Sequence, residues 1–338
     1  MPEKLQLVDA DTLLSTPMEK TLFIVDGLIP QGVSMLCGSG KIGKSWLMLW
    51  LGIRVAQGLP LWNLQTHQSD VLYLCLEDTR VRIQNRLYQL VDEAPPGLRF
   101  ATMCGKLGGG LEEQIIDALH DYPKTKLVII DTLQKVRDSR SVAGKNGMYA
   151  NDYDDISTVK RIADRFRIAI VLVHHLRKLK DSDDPFNEVS GSTGITGAAD
   201  TNFILKRKRG ERTATLLVSG RDVEYQQFTL RFENQVWQLV AHKNSTELHR
   251  EEIPPFLFRL VDFLKDKPKW IGTATELLTE MQETETPPNL VTKMLGRFAG
   301  EVLTPAGIEY KTKRTGQSRL MRFMMSDSCD DNDGNSAI

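Results

Sequence analysis

Residues 38–45 read Gly38-Ser39-Gly40-Lys41-Ile42-Gly43-Lys44-Ser45 and fit the pattern G-x-x-x-x-G-K-[ST] at every fixed position. The apolar run Val33–Cys37 before them predicts a strand, and the apolar stretch Ser45–Gln57 after them predicts a buried helix. Glycines at these positions let backbone N–H groups surround phosphate oxygens, and a helix N-terminus adds positive potential. A Gly/Ser-rich turn could fit the pattern by chance, but the flanking strand and helix favour a phosphate-binding loop.

The side chains of this loop predict a triphosphate ligand and a divalent cation. Lys44 offers its ammonium group to the terminal phosphates as a catalytic residue, and Ser45 offers its hydroxyl to Mg²⁺. We therefore expect ATP and Mg²⁺ as cofactors. The residues expected to contact the nucleotide are Gly38, Ser39, Gly40, Lys41, Ile42, Gly43, Lys44, Ser45 and Trp46.

Further along the chain, apolar runs alternate with helical patterns. Three runs are apolar at successive positions, as buried strands of a parallel sheet are: Val71–Leu76, Leu127–Asp131 and Ile168–Val173. Helical patterns fall over 79–90 and 156–166, and runs over 203–205, 213–218 and 228–239 predict antiparallel strands. The alternation predicts an α/β fold with a mostly parallel sheet flanked by helices.

Two carboxylates end predicted strands. Asp131 would emerge at the carboxyl edge of the sheet, where ligands of open α/β sheets bind, and would hold Mg²⁺. Glu77 would orient the water that attacks the γ-phosphate. The alternative for each is a helix cap, which we favour for the neighbouring Asp78.

His174 and His175 end the fourth strand. A polar side chain there can contact the γ-phosphate, and we favour His175 for that sensor position. The alternatives are two histidines satisfied within the structure, or a metal site. A shared metal is disfavoured because adjacent residues on a strand face opposite ways.

Residues 254–325 read as a second, small domain. Helical stripes of apolar residues begin near Leu257, Ala274 and Leu290, and a hairpin signal surrounds 314–317. Three helices followed by a basic hairpin predict a winged-helix domain. Its basic set is Lys293 and Arg297 on the third helix, with Thr292 beside them, and Lys311, Lys313, Arg314, Arg319 and Arg322 on the hairpin. DNA binding is favoured, and protein docking through the acidic second helix is the alternative.

The composition and charge of the chain exclude several classes of protein. Of the 338 residues, 41% are hydrophobic, which suffices for an ordered core. The net charge of −1 excludes a generally polybasic protein, so any nucleic-acid surface must be local. No apolar run approaches the roughly 20 residues of a membrane helix, and no secretory signal is visible. The four cysteines (Cys37, Cys75, Cys104 and Cys329) form no metal-binding pair. We expect a cytoplasmic protein without a membrane partner.

The expected organisation follows from these patterns. Residues 1–26 form a lead-in segment, 27–240 the ATPase domain and 241–253 a polar linker. The winged-helix domain spans 254–325, and 326–338 form a disordered acidic tail.

The ordered motifs resemble those of the RecA-like ATPases, and most closely the RepA-type hexameric replicative helicases of plasmids, phages and mobile elements. The motifs are Gly38–Ser45, Leu74-Cys-Leu-Glu77-Asp78, Asp131-Thr-Leu-Gln134, Val173-His-His-Leu-Arg-Lys178, and Ser190-Gly-Ser-Thr-Gly194 with Ala199-Asp200. The resemblance covers roughly Ile24–Phe232. It implies a homo-oligomeric ring, usually a hexamer, with ATP between subunits and single-stranded DNA in a central channel. It also implies initiator or primase proteins as partners.

Roles carried over by position give the catalytic set. Glu77 takes the catalytic glutamate position, Asp131 the Mg²⁺ position and His175 the γ-phosphate sensor position. In ring helicases an arginine after the second loop reaches the neighbour's γ-phosphate, and Arg221 in Val218-Ser-Gly-Arg221-Asp222 fits that place. The alternatives are Arg207, or a solvated arginine in a turn.

The stretches 138–155 and 180–197 are polar and lack periodicity, and they are predicted as long loops. By resemblance they face the DNA channel. Candidate DNA contacts are Lys145, Asn146, Tyr149 and Asn151 in the first, Arg177, Lys178 and Lys180 between them, and Ser190, Ser192 and Thr193 in the second. Mobile surface loops without a ligand are the alternative.

The motifs suggest four candidate functions. The first is an Mg²⁺-dependent ring ATPase that binds and unwinds DNA in replication of a mobile element. The second is an ATP-gated DNA-binding or recombination factor of the RecA type that does not unwind. An ATP-sensing winged-helix regulator explains neither Glu77 nor Arg221, and a small-molecule kinase leaves the winged helix unexplained.

Overall fold

In a computed structural model of the chain, the structure describes residues 7–17, 20–137, 144–176, 184–189, 193–315 and 318–325. The chain divides into two compact units, Met1–Ser245 and Thr246–Ile338. The predicted linker 241–253 contains this boundary, but it is not irregular. A strand continues to Lys243, and a helix occupies Ser245–Glu252. The predicted acidic tail, 326–338, lies outside the described residues.

The strands of the first unit are β1 (Phe23–Val25), β2 (Ile29–Pro30), β3 (Gly32–Gly38), β4 (Asp70–Cys75), β5 (Leu98–Ala101), β6 (Thr125–Asp131), β7 (Ala169–His174), β8 (Thr201–Lys206), β9 (Thr213–Gly220), β10 (Gln226–Glu233) and β11 (Val236–Lys243). Its helices are α1 (Ala10–Ser15), α2 (Lys44–Gln57), α3 (Arg80–Leu87), α4 (Leu111–Asp121), α5 (Leu133–Val136), α6 (Gly144–Phe166) and α7 (Thr193–Ala198). Helix α8 (Ser245–Glu252) begins at the last residue of the first unit and otherwise belongs to the second. A short 3₁₀ turn spans Pro185–Glu188.

Within the described ranges, a nine-stranded sheet has the order β11-β10-β9-β8-β3-β7-β6-β4-β5. Six strands, from β8 to β5, run parallel, and β8 to β11 continue as antiparallel neighbours. This confirms the predicted α/β class with a mostly parallel sheet. The chain leaves β3 towards β4 on one side, whereas β7 is followed by β8 on the other. A crevice therefore opens at the carboxyl end of β3, the position where open α/β sheets bind ligands.

The core lies on both faces of this sheet. Every residue of β3 is buried, and two apolar clusters cover the two faces, one around α2 and the other around α4 and α6. Burial on both sides explains why the central strands are apolar at successive positions. The core also includes Ile24 and Val25 of β1, so the compact unit begins before the predicted boundary at residue 27.

The prediction of a loop over 138–155 is wrong from residue 144 onward. Helix α6 begins at Gly144, so Lys145, Asn146, Tyr149 and Asn151 lie on a helix. The helical pattern was hidden because Asp152 takes a position on the buried face. Arg137 neutralises it, pairing with Asp152 and, at 2.8 Å, with Asp155. Similarly, the stretch predicted as a loop over 180–197 contains the 3₁₀ turn and the start of α7.

The second unit has the element order α9 (Pro255–Leu264), β12 (Lys269–Gly272), α10 (Ala274–Glu280), α11 (Pro288–Val302), β13 (Ile308–Thr315) and β14 (Ser318–Met325). Its sheet has the order β12-β14-β13. The three predicted helices and the hairpin are present, and β12 was not predicted. Thr273 and Glu276 form a reciprocal cap at the start of α10. An apolar cluster centred on Leu257, Leu295 and Phe323 joins the helices to the sheet.

Replacing Arg137 with Met is expected to lower the free energy of unfolding by about 3 kcal/mol, because it removes the cation that neutralises two largely buried carboxylates. Urea unfolding followed by circular dichroism measures this. As a control, Lys208→Met removes an exposed partner of Glu211 at 3.7 Å and should change stability by less than about 0.5 kcal/mol. Equal effects of the two substitutions would contradict the role given to Arg137.

Candidate nucleotide site

The phosphate-binding loop joins β3 to α2 in a conformation that only a small residue allows. Gly43 caps the helix with a φ of 102°, and a Cβ there would lie 3.0 Å from the ring of Trp237. A Cβ on Gly38 would lie 2.9 Å from the carbonyl oxygen of Leu205. These close approaches leave the backbone N–H groups of the loop as its lining.

Lys44 is buried at the base of this loop. Its ammonium group donates to the carbonyl oxygens of Gly38 and Ser39 at 2.7 and 2.9 Å. Burial lowers the pKa of Lys44, and the negative charges of Asp131 and Glu77 oppose that change. The amine is thus held by the loop itself, in the position from which it can meet the terminal phosphates.

Asp131 ends β6 beside the loop, as predicted. The hydroxyl of Tyr73 donates to its Oδ2 at 3.1 Å, and the Ser45 hydroxyl also hydrogen-bonds this carboxylate. Burial raises the pKa of Asp131, while these two hydrogen bonds lower it. A hydroxyl and a carboxylate side by side next to a phosphate site fit Mg²⁺, which keeps most of its ligands as water and phosphate oxygen. Among the residues that the structure describes, there is no cluster of three or more His, Cys, Asp or Glu side chains that could hold a metal ion.

Glu77 lies just beyond β4 and faces the same cavity. Thr132, next to Asp131, donates to its Oε1 at 3.3 Å. The helix cap favoured for Asp78 and the cap alternative for Glu77 are both wrong, because the side chain of Thr79 caps α3. Asp78 instead accepts from Arg82 and Arg86 at 2.9 and 2.6 Å.

The cavity has a volume of about 350 Å³ and brings together most of the predicted set. Its lining comprises Lys41, Gly43, Lys44, Ser45, Trp46, Glu77, Arg86, Asp131, Thr132, His175, Arg207 and Phe232. His175 faces it, whereas His174 is buried in the sheet. Sequence reasoning missed Arg86, Thr132 and Phe232, which come from α3, the residue after β6, and β10.

One wall of the cavity is aromatic and cationic. The Arg86 guanidinium lies 5.2 Å from the Trp46 ring, and that of Arg207 lies 5.4 Å from the Phe232 ring. Arg207 also donates to the carbonyl oxygen of Glu211 at 2.6 Å. Arg207 therefore belongs to the cavity of its own chain.

Arg221 is not part of this lining. It follows β9 at the opposite edge of the sheet, and its guanidinium lies 3.4 Å from Asp200. The register places Gly220 beside Thr201, which pairs with Ser34, so Arg221 lies roughly 16 Å along β3 from Gly38. The side chain is 61% exposed.

The predicted DNA contacts are distributed over several elements. Lys145, Asn146, Tyr149 and Asn151 lie in the first part of α6, and Thr193 begins α7. In the second unit Lys293 and Arg297 are exposed on α11, and Lys311, Lys313, Arg314 and Arg319 are exposed on the β13–β14 hairpin. Arg297 pairs with Glu252 at 3.0 Å. Arg177, Lys178, Lys180, Ser190 and Ser192 lie outside the described residues.

The sheet, the loop at the carboxyl end of β3 and the cavity beside it define a P-loop, nucleotide-binding ATPase. The AAA domain family (AAA_25) matches residues 1–181, which is more than half of the chain. The chain belongs to this AAA domain family. No curated protein is significantly similar in sequence.

Two solved structures are similar in fold. The first is described as a DnaB-like replicative helicase and its interactions with primase. It matches with a TM-score of 0.52 and 11% identity, over 70% of this chain and 68% of its own. The second is described as the ATPase domain of G40P, with a TM-score of 0.49 and 12% identity, over 62% of this chain and 85% of its own. The first match shows that the chain has a RecA-like fold. Among the described residues, no helix is both long and apolar enough to span a membrane.

Replacing Asp131 with Asn is expected to stabilise the nucleotide-free protein by an amount on the order of 1 kcal/mol and to abolish the effect of Mg²⁺ on nucleotide affinity. The pKa of the buried carboxyl is raised from its ordinary value of 3.8. The wild type therefore loses stability as pH rises through the interval between 3.8 and the raised value. The gain in the free energy of unfolding of Asp131→Asn over the wild type should be complete above this pH interval and absent below it.

Thermal unfolding across pH, with and without ATP and Mg²⁺, measures both effects. Asp121→Asn, at an exposed position at the end of α4, is the control and should change neither. A loss of stability in Asp131→Asn at neutral pH would contradict the prediction.

Proposed function

We propose that the chain is an Mg²⁺-dependent ATPase that assembles into a ring, holds single-stranded DNA in its channel and unwinds DNA during replication of a mobile element. The observation that carries the proposal is the division of the catalytic groups. Lys44, Asp131, Glu77 and His175 meet around one cavity, whereas Arg221 is exposed at the far edge of the sheet. An arginine in that place serves a cavity of a second copy.

The proposal gives each group around the cavity a role. Lys44 and the loop N–H groups bind the β- and γ-phosphates, and Ser45 and Asp131 hold Mg²⁺, which neutralises developing charge. Glu77 accepts a proton from the attacking water, oriented through its hydrogen bond with Thr132. His175 contacts the γ-phosphate, and Arg221 of the adjacent copy stabilises the transition state.

A head-to-tail ring suits this arrangement. Donor and acceptor edges of the sheet differ, so one copy's Arg221 edge meets the next copy's cavity through a heterologous contact that closes by rotation. The early part of α6 and the start of α7 then provide DNA contacts in the channel. The similarity to a structure described with primase interactions supports initiator or primase proteins as partners.

We further propose that the second unit is a winged-helix domain that binds duplex DNA. In its hairpin Lys311 lies opposite Arg322, and Arg314 lies opposite Arg319. Like charges directly opposite each other destabilise a strand pair, and a phosphate backbone placed along the hairpin removes that repulsion. Helix α11, with Lys293 exposed, is the element that would enter the major groove.

Glu77→Gln is expected to retain ATP binding and to lose at least about a hundredfold in turnover, because the base is removed and the phosphate contacts remain. Lys44→Ala is expected to lose both ATP binding and turnover. Fluorescent-nucleotide binding and phosphate release measure these effects, and Glu113→Gln, exposed on α4, should match the wild type. Unchanged turnover in Glu77→Gln would remove the catalytic assignment.

Strand displacement on a forked DNA substrate tests the motor function directly. Unwinding that needs ATP and disappears in Glu77→Gln supports a helicase. Turnover stimulated by single-stranded DNA without displacement would instead identify an ATP-gated DNA-binding factor of the RecA type.

Combining Arg314→Gln with Arg319→Gln is expected to weaken binding of blunt duplex DNA and to reduce the slope of log K against log salt by about 2. Stability should be unchanged or slightly higher, since a repulsive pair is removed. Fluorescence anisotropy across salt concentrations measures the slope. As a control, Arg250→Gln combined with Lys265→Gln removes two positive charges elsewhere in the unit and should leave the salt slope unchanged. A reduction of the slope equal to that of the hairpin variant would indicate a general effect of net charge.

A further inference from the structure

A second charged cluster lies at the edge of the large sheet opposite the nucleotide cavity. Its centre is Asp200, which is 7% exposed and directly precedes β8. Its Oδ2 accepts the backbone N–H of Val33 at 2.9 Å. Lys160 of α6 donates to both carboxylate oxygens at 2.6 Å. This carboxylate is therefore fixed to the sheet on one side and to a helix on the other.

The backbone is shaped around this carboxylate. A Cβ on Gly32, which has a φ of +102°, would lie 2.4 Å from Asp200 Oδ2. A Cβ on Gly220 would lie 2.7 Å from the carbonyl oxygen of Asp200. Glycine is thus required on both strands that approach Asp200, and the close approach of Gly220 brings the next residue, Arg221, against it.

Arg221 is tied to this cluster in three ways. Its backbone N–H donates to the Asp200 carbonyl oxygen at 2.8 Å. Its guanidinium lies 3.4 Å from Asp200 Oδ1 and donates at 3.4 Å to the Gly197 carbonyl oxygen in α7. These contacts are longer than the 2.6 Å contacts of Lys160, and most of the side chain remains exposed. The arginine is oriented without being enclosed.

We infer that Asp200 is a positioning residue that aims Arg221 at the nucleotide site of an adjacent copy. Lys160 of α6 and Gly197 of α7 link the orientation of the Arg221 side chain to the two helices that bear candidate DNA contacts. The inference rests on the proposed function, in which Arg221 acts between copies. An unrestrained arginine would lose conformational entropy when it reaches a neighbour's phosphate, and a carboxylate anchored to the sheet reduces that loss by limiting its conformations beforehand.

The anchor also gives DNA a route to the ATPase reaction. A shift of α6 or α7 when DNA binds in the channel moves Lys160 or Gly197 relative to Asp200, and so changes where the guanidinium points. Displacement of a catalytic group by about 1 Å can change a rate roughly a hundredfold, so a small helix movement suffices.

The test is complementation between copies. Asp200→Asn keeps the size of the side chain and removes its charge; alone, it should lower kcat by about ten- to hundredfold with KM for ATP unchanged. Lys44→Ala has no working cavity of its own but carries an intact Asp200 and Arg221. An equimolar mixture of Asp200→Asn and Lys44→Ala should regain turnover, up to about a quarter of the wild-type value. One interface in four then joins the working cavity of an Asp200→Asn copy to the correctly positioned Arg221 of a Lys44→Ala copy.

Each outcome is decisive. Arg221→Ala mixed with Lys44→Ala is the reference: if that mixture stays inactive, the proposed function between copies fails, and this inference with it. If the reference regains turnover and the Asp200→Asn mixture does not, only the positioning role is overturned. A double variant, Asp200→Asn with Arg221→Ala, should be no slower than Arg221→Ala alone; a further loss would also overturn it.

Lys160→Met carries the test if Asp200→Asn does not fold. It removes one anchor of the Asp200 carboxylate and should reduce stimulation by single-stranded DNA at least about fivefold more than it reduces DNA-free turnover. Asp164→Asn, which removes the other carboxylate near Lys160 at 3.8 Å, is the matched control and should keep full stimulation. Full stimulation in Lys160→Met would refute the connection to α6.

Discussion

The nucleotide site depends on one buried positive charge, the ammonium group of Lys44. Removing an ammonium group from water is unfavourable unless oxygen atoms replace the lost hydration. Here the carbonyl oxygens of Gly38 and Ser39 do so, at 2.7 and 2.9 Å. The tight turn that presents these carbonyls is possible because Gly43 adopts a left-handed conformation. Phosphate oxygens are better partners for the same cation, so the loop is arranged to exchange its own carbonyls for a ligand.

Two arginines that follow neighbouring strands, Arg207 and Arg221, lie at opposite ends of the sheet. Strands β8 and β9 pair antiparallel, with Arg207 beyond the end of β8 near the cavity and Arg221 beyond the end of β9 at the far edge. Because Arg221 lies roughly 16 Å along the sheet from the phosphate-binding loop, the two arginines do not reach the same cavity of one chain. The paired strands β8 and β9 thus place one arginine, Arg207, at the cavity of their own chain and leave the other, Arg221, exposed. In the proposed ring, association with a second copy gives the exposed Arg221 a nucleotide to act on.

Features encoded by neighbouring residues could be predicted from the sequence, and features made by distant residues could not. The phosphate loop, the central strands, Asp131, Glu77 and His175 follow from motifs and apolar runs that are local. Helix α6 was missed because a buried carboxylate, Asp152, interrupts its apolar face, and its partner Arg137 lies on another element. The Arg86 and Phe232 wall was missed because its residues come from α3 and from sheet strand β10, which are far apart in the sequence and meet only in the folded chain. Strand β12 has four residues and pairs only with β14, too short a pattern to distinguish from a loop.

The two units share a way of building anion sites. In the first unit Lys44, Arg86 and Arg207 converge on a cavity whose nearest carboxylates, Asp131 and Glu77, are oriented by hydroxyl groups. In the second, the hairpin sets basic side chains directly opposite one another. In each arrangement like charges lie close together and repel, although Asp78 pairs with Arg86 and Glu309 pairs with Lys311. Sequences are otherwise consistent with their folds at every level, and departures concentrate where a ligand compensates for them. Under the proposed function, the departures in this chain correspond to two anionic ligands of different kinds: a compact phosphate chain in the 350 Å³ cavity, and an extended phosphate backbone along the open hairpin.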